Sequence, residues 1–415
     1  MVLAVQENNK MAYDIPEKLC DAVFRTYDIR GEASDDKISP DLAYALGRAY
    51  GSRVIGVGET EVIVGRDARL TGQALQEALM TGLCESGCNV IDIGVVSTPM
   101  LYFATCHLPA QSGIMVTASH NPVGDNGFKC VLSGNSLRTD EIQSIKDQIL
   151  RRDFITGQGQ LSKADVLADY VACIVGKIHL DRPLKVVIDC GNGVGGVAAP
   201  MIFKQLGCEV IELYCDLDGR FPNHHPDPTV LENVQDVMNA VKTHEADIGL
   251  AFDGDADRVG VITDQGEIVW PDRQMLLFSR DILAKIPGSE IIFDVKCTNH
   301  IETMITQWGG TPIMYRTGHS LMKAKLKERA APLAGEMSGH IFFNDDWFGF
   351  DDGVYVGARL LQIIAAQPDP ASSVFAALPD SVNTPELKLP VVEENKQPLM
   401  DKLLSQGQFD EARLI

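Results

Sequence analysis

The stretch Ile248–Gly260 reads IGLAFDGDADRVG. A short run of apolar and small residues reaches Phe252, and then three aspartates, Asp253, Asp255 and Asp257, occupy alternate positions. Such a run, bounded by Gly and Asp, reads as a buried strand that ends where the acids begin. Three carboxylates crowded at a strand end repel one another unless a cation neutralises them. A hard divalent ion with oxygen ligands does so, and Mg²⁺ is the commonest choice where a phosphate completes its shell. A solvated acidic turn is the plainer alternative. An EF-hand calcium loop also opens on Asp-x-Asp-x-Asp. Here, however, its sixth position is Arg258 rather than Gly, its twelfth is Asp264 rather than Glu, and an apparent hairpin follows in place of a helix. Arg258 beside the acids suits a site that holds a metal and an anion together.

Outward from this stretch the chain repeats itself. A strand pattern ending in polar residues occurs at Val62–Asp67 (VIVGRD), Val186–Asn192 (VVIDCGN) and Ile291–Cys297 (IIFDVKC). Helix-like stretches follow near 71–86, 196–206 and 299–308, each closing on Gly before a second strand, at Gly87–Gly94, Gly207–Tyr214 and Gly309–Gly318. After a further helix, third strands end at Thr117–His120, at the aspartate loop and at Gly335–His340. Strands alternating with helices predict an α/β protein of three tandem units. Their sheets should be mixed and mostly parallel, with polar loops at the strand ends around a central cleft. Boundaries fall near residues 165, 267 and 381, giving units 1–165, 166–267 and 268–381. The remainder, 382–415, is too short to bury its own core, although Leu387–Val392 reads as a strand. Residues 1–10 read as a loose tail.

Composition narrows the function. With 36 basic and 57 acidic residues among 415, the formal charge is -21, which argues against nucleic acid or an anionic membrane as partner. A small anionic substrate in a local basic pocket remains compatible. Most of the ten cysteines lie in apolar runs (Cys173, Cys190, Cys208, Cys297) and read as reduced thiols of a cytoplasmic protein. Cys84 and Cys88 are four apart, but no second pair has zinc spacing. Neither a signal peptide nor an apolar run of membrane-spanning length is apparent.

Several loops carry chemistry. Phe24–Gly31 (FRTYDIRG) sets Arg25 and Arg30 around a Tyr-Asp pair, and arginine suits bidentate anion contacts. In the first unit Thr117-Ala118-Ser119-His120-Asn121-Pro122 precedes Lys129. Ser119 could cap a turn, yet small neighbours leave its hydroxyl accessible and His120 and Lys129 supply positive charge. Adjacent residues diverge from a strand, so Ser119 and His120 form no hydrolase pair, and no Gly-x-Ser-x-Gly elbow is present. A serine carrying a phosphoryl group, whose oxygen completes the shell on aspartate-bound Mg²⁺, accounts better for these surroundings. The third unit offers Lys296, then Thr317-Gly318-His319, then Glu336, Ser338 and His340, of which Glu336 and Ser338 suit sugar hydroxyls. Gly191, Gly193 and Gly196, with Glu212 about 20 residues on, also allow an NAD-dependent oxidoreductase. That reading leaves the aspartate loop and Ser119 without a purpose. His224 and His225, flanked by prolines, read as shaping a loop.

The motifs FRTYDIRG, TASHNP, DGDADR, TGHS and GEMSGH, in this order and spacing, resemble those of the α-D-phosphohexomutases. GEMSGH with the following WFGFDDG is similar to the bacterial phosphomannomutase/phosphoglucomutase branch, and the resemblance runs from about residue 20 to the end. It implies that Ser119 is the phosphoserine and that Asp253, Asp255 and Asp257 hold Mg²⁺ together with Ser119. It implies that Glu336 and Ser338 contact the sugar. Tyr27, Arg30, His120, Lys129, Arg258, Lys296, Thr317, Gly318, His319 and His340 would line the pocket, with Lys129, Arg30 and His319 as candidate general acids and bases. The implied reaction moves phosphate between O1 and O6 of glucose or mannose phosphate through a hexose 1,6-bisphosphate, which also serves as activator. Met337 leans away from the glucosamine branch by the same resemblance. The family ends in a fourth, α+β domain bearing an Arg-x-Ser-x-Thr phosphate loop, which this chain begins but stops short of at Ile415. The second expectation is therefore a sugar-phosphate-binding homologue with little turnover.

Overall fold

In the computed structural model, which describes residues 13–380 and 390–407, the three apolar runs that close on an aspartate lie inside three separate sheets. The first unit comprises β1 (Ile29–Glu32), α1 (Pro40–Gly56), β2 (Glu61–Arg66), α2 (Gly72–Glu85), β3 (Asn89–Val95), α3 (Thr98–His107), β4 (Gly113–Val116), β5 (Asp125–Leu132), β6 (Asn135–Ser136), α4 (Thr139–Arg151) and β7 (Leu161–Lys163). The second runs through α5 (Leu167–Lys177), β8 (Lys185–Asp189), α6 (Ala199–Gln205), β9 (Glu209–Leu213), α7 (Gln235–His244), β10 (Ile248–Phe252), β11 (Val259–Thr263) and β12 (Ile268–Val269). The third holds α8 (Pro271–Lys285), β13 (Glu290–Asp294), α9 (His300–Gln307), β14 (Thr311–Tyr315), α10 (His319–Arg329), β15 (Leu333–Gly335), β16 (Ile341–Phe343), α11 (Gly353–Ala365) and α12 (Ala371–Ala376), and α13 (Glu393–Gln406) follows.

The repeat is visible in the hydrogen bonding. The orders β3-β2-β4-β5, β9-β8-β10-β11 and β14-β13-β15-β16 recur, the first three strands of each set parallel and the fourth antiparallel. Parallel strands covered on both faces need no polar alternation, and all five residues of β10 are buried. Serine side chains cap α1 and α3, each with proline in the first turn. The helix expected over 196–206 is split: a 3-10 turn at Val194–Val197 precedes α6, where Pro200 lies in the first turn. The loose tail expected at 1–10 lies outside the described residues, as do 387–389 of the expected strand, while 390–392 enter α13 without forming one.

One continuous apolar core joins the inner face of the first sheet to the second and third units, while α1, α2 and α4 cover the outer face with a second core. At the seam, Phe103 of α3 meets Tyr170 of α5 with centroids 5.6 Å apart, and Trp347 approaches Tyr170 at 6.3 Å. The Tyr170 hydroxyl donates to Asp352, which caps α11, at 2.9 Å. This seam fixes the loops after β4, β10 and β15 in mutual contact. Among the described residues no helix is long and apolar enough to cross a membrane.

Candidate active site

The three aspartates converge at the C-terminal end of β10. One carboxylate oxygen from each of Asp253, Asp255 and Asp257 lies within 4.8 Å of the others, and all three residues are fully buried. Their charge is met from two directions. Lys129 of β5 reaches across from the first unit, placing Nζ 2.6 Å from Asp255 and 2.5 Å from Asp257. Thr98, at the start of α3, donates its hydroxyl to Asp255 at 2.5 Å and its backbone N–H to the Asp255 carbonyl at 3.0 Å. Arg258 pairs with Asp253 at 3.0 Å and extends to the carbonyl of Ser338 at 3.2 Å, tying the second unit to the third. Burial pushes Asp253 up to about 7 against the pull of Arg258, with Asp257 and Asp255 adding to the rise. Burial also opposes the charge on Asp255, but Lys129 and Thr98 outweigh it and hold that carboxyl well below its usual range. Asp255 Oδ1 and Asp257 Oδ1 are buried with no hydrogen-bond partner. Clustered carboxylate oxygens with unmet acceptor capacity fit a hard divalent cation.

Ser119 lies beside this cluster. Its hydroxyl donates to Asp253 Oδ2 at 2.8 Å and lies 3.1 Å from His120 Nδ1. This corrects the expected divergence of the two side chains. Ser119 has φ +51°, in the left-handed region, so the alternation of an extended strand does not apply. It corrects the expected accessibility as well, since Ser119 is 2% exposed. Arg258, burial and Arg30 depress His120 far below the ordinary histidine range, so its imidazole is neutral. Burial disfavours the charge on Lys129, yet Asp255 and Asp257 outweigh it and keep the amine protonated.

The third unit faces the same point. Tyr27 donates to the carbonyl of Thr317 at 2.8 Å, and its ring meets His319 edge-on. The Gly318 N–H and the Ser338 hydroxyl, the latter at 3.1 Å, both donate to Glu336, whose carboxyl burial shifts upward. His340 stands 2.9 Å from Asp351 and 3.6 Å from Asp257. Burial opposes the imidazolium, but Asp257 and Asp351 outweigh it and raise His340. His319 moves the other way, depressed by burial and by Lys323. Arg30 donates to the Ala118 carbonyl and to Asn121 Oδ1, both at 3.2 Å, and pairs with Asp28, whereas Arg25 is exposed. Lys296 lies on the exposed turn after β13.

Sequence reasoning missed several neighbours. Lys323 pairs with Asp351 at 2.9 Å and lies over the Tyr102 ring at 4.1 Å, and Asp351 belongs to the WFGFDDG stretch read only for its resemblance. Arg69, two residues past the VIVGRD strand, donates to backbone carbonyls of the Ser119 loop. His224 and His225 do shape a loop: His224 pairs with Asp189 at 3.1 Å, and His225 bonds the His120 carbonyl. The glycines that allowed NAD binding are closed off by protein. A Cβ on Gly193 would meet the Gly254 carbonyl at 2.7 Å, and one on Gly196 would meet that of Cys215 at 2.0 Å. They let loops of the second unit pack closely, including the aspartate loop itself.

Comparison with known proteins agrees with this geometry. Residues 21–156, 168–266 and 270–382 match, in turn, the descriptions "Phosphoglucomutase/phosphomannomutase, alpha/beta/alpha domain" I, II and III. A phosphomannomutase/phosphoglucomutase of Pseudomonas putida is 49% identical over 404 residues, spanning 97% of this chain and 87% of that protein. A phosphoglucomutase of Neisseria meningitidis serogroup A is 47% identical over 396 residues, spanning 95% and 86%. The crystal structure of a phosphoglucomutase/phosphomannomutase family protein from Burkholderia thailandensis superposes with a TM-score of 0.90 at 49% identity, covering 96% of this chain and 87% of that one. Neither the oxidoreductase reading nor that of a binding homologue without turnover is favoured by these relatives. The chain belongs to the bacterial phosphomannomutase/phosphoglucomutase branch of the α-D-phosphohexomutases, and its function is that of a phosphohexomutase.

Proposed function

We propose that the chain moves phosphate between O1 and O6 of glucose or mannose phosphate, with Ser119 as the carrier. The observation that carries this reading is the Ser119 hydroxyl lying 2.8 Å from Asp253 within the buried aspartate cluster. Asp253, Asp255, Asp257 and an oxygen on Ser119 would hold Mg²⁺, which when bound supplies charge stabilisation to the transferring phosphoryl group. As the O–P bond of phospho-Ser119 breaks, a new O–P bond forms to a sugar hydroxyl, whose proton passes to a nearby base. The resulting hexose 1,6-bisphosphate turns over and returns its other phosphate to Ser119, which is why added bisphosphate would act as activator. Lys129 and Arg258 face the transferring group as fixed cations and need no reorganisation at the moment of reaction. The aspartates keep Lys129 protonated and burial keeps His319 neutral, so as candidates for proton transfer Lys129 could only donate and His319 only accept. Arg30 stands at the Ser119 loop as a further candidate for proton transfer.

Glu336 and Ser338 would bind sugar hydroxyls by exchanging their mutual hydrogen bond for bonds to substrate. Tyr27, His120, Lys296, Thr317, Gly318 and His340 would complete the lining. The unit divisions near 165, 267 and 381 give a phosphoserine loop, a metal loop and a sugar loop in turn. All ten cysteines are free, which supports a reducing, cytoplasmic setting.

Intact mass of the purified protein tests the carrier. The native chain should take up one phosphate from hexose 1,6-bisphosphate, mapped to Ser119. Ser119→Ala should lose it, with turnover falling by at least about 10⁴-fold. Uptake of phosphate by the alanine variant would move the carrier elsewhere.

A further inference from the structure

We propose that Arg69 is a positioning residue for phosphoryl transfer, its guanidinium fixing the backbone of the Ser119 loop so that the hydroxyl meets the aspartate cluster. The inference rests on Ser119 being the phosphoryl carrier.

Arg69 is 1% exposed. Its Nη1 donates to the carbonyls of Pro122 at 2.7 Å and Asp125 at 2.9 Å, and its Nη2 to those of Ser119 at 2.8 Å and Asn121 at 2.6 Å. Two terminal nitrogens carry four N–H bonds, and four carbonyls take them. No terminal donor remains to face a substrate, so the residue acts on the loop rather than on the reacting atoms. Beneath it, Asp67 stands 3.3 Å from Nε and also accepts the Thr117 hydroxyl at 2.7 Å. The Thr117 oxygen in turn accepts the Ser119 N–H at 2.8 Å. Both backbone groups of Ser119 are therefore tied to one Arg69–Asp67–Thr117 network. Above, the Phe221 ring of the second unit covers the guanidinium with its centroid at 5.2 Å.

A serine in the left-handed region pays for its conformation unless its surroundings over-determine it. This network supplies that determination, and the φ of +51° brings the hydroxyl to Asp253. Lysine cannot reproduce the arrangement. Its ammonium is a point charge with three donors and lacks the planar fork that spans both ends of the loop. Displacement of a reacting group by about 1 Å can cost on the order of a hundredfold in rate.

Arg69→Lys and Arg69→Ala would be compared with the native chain by three measurements. These are the rate of phosphate transfer from hexose 1,6-bisphosphate to Ser119, the KM for hexose phosphate, and the folded fraction by thermal denaturation. Arg69→Lys should transfer about a hundredfold more slowly per folded molecule, with KM changed less than roughly threefold. Arg69→Ala should be slower still and recover about tenfold on adding guanidinium ion, but not on adding sodium at equal ionic strength. Transfer by Arg69→Lys within roughly threefold of native per folded molecule would overturn the inference, and it decides the matter even where Arg69→Ala fails to fold. So would a deficit in Arg69→Ala that matches its unfolded fraction and ignores guanidinium. Ser119→Ala in parallel separates the two readings. Phosphate uptake by that variant removes the premise, whereas its silence beside a normal Arg69→Lys refutes the role of Arg69 alone.

Discussion

The first and third units bury an aspartate at the same point of the repeat, just after or at the end of the central strand, and use it differently. Asp67 accepts the Thr117 hydroxyl at 2.7 Å and the Arg69 N–H at 2.9 Å, with the Arg69 guanidinium alongside. Asp294 accepts the Thr317 hydroxyl, from the loop after β14, at 2.9 Å, the Cys297 thiol at 3.1 Å and the Met337 N–H at 3.2 Å. One loop is anchored by a buried cation and the other by neutral donors. On the proposed reading Ser119 bonds covalently to phosphorus, which tolerates little error in position, and its loop is the clamped one. On the same reading the loop of Glu336 exchanges partners with a sugar, and its internal bonds to Gly318 and Ser338 are of a kind that hydroxyls replace.

Cutting both aspartates down to amides is the hardest test of that contrast. Asp67→Asn strips a buried guanidinium of its counter-charge and should cost roughly 3–5 kcal/mol of stability, with transfer to Ser119 falling in step. Asp294→Asn takes away one of two oxygens that accept from neutral donors and should cost about 1 kcal/mol, raising KM more than it lowers kcat. Urea denaturation and steady-state kinetics on the two variants check this, and equal losses would erase the distinction. A smaller effect should follow from Glu336→Gln. Its amide keeps one acceptor, so KM should rise about tenfold while phosphate uptake at Ser119 stays native. Loss of that uptake would mean that the Glu336 loop also shapes the surroundings of Ser119.

The least disruptive test extends the contrast to Asp352, whose partners Tyr170 and Tyr355 are neutral. Burial pushes its carboxyl up to about 7 from an ordinary 3.8, although those donors oppose the shift. The folded state thus binds a proton that the unfolded state releases between these two values. Its contribution to stability is fully present below pH 3.8 and is lost as pH rises to about 7. Asp352→Asn carries no such titration. Its stability relative to native should improve between pH 5 and pH 8, read by denaturation at both, whereas parallel profiles would place the proton elsewhere.

The parts of this site that were legible in the sequence are those written in local pattern. Ile248–Phe252 could be read as a strand because parallel strands covered on both faces become unbroken apolar runs, and the aspartates announce themselves by crowding. The tandem units follow from the same pattern recurring with glycine at each helix end, where Gly87, Gly207 and Gly309 all take positive φ. Arg69 was not legible, because nothing in GRDARL tells that its partners are carbonyls some 50 residues on. The contact of Ser119 with His120 escaped for a different reason. It depends on one backbone torsion that no residue periodicity encodes. Lys323 and Asp351 meet only because α10 and the loop before α11 pack together, a tertiary fact.

The partners of the aspartate loop also have an order in time. Lys129 and Thr98 precede Asp255 by 126 and 157 residues. At ribosomal speeds of about 5–20 residues per second, they emerge roughly 6 to 30 seconds before the acid they bond. A nascent first unit can therefore present the Lys129 amine and the Thr98 hydroxyl in place, against which the aspartates arrive already answered. Reversing that order by circular permutation would oblige the second unit to fold around bare carboxylates. Slower refolding at neutral pH, relieved by divalent cations or mild acid, is the cost such a permutant would carry.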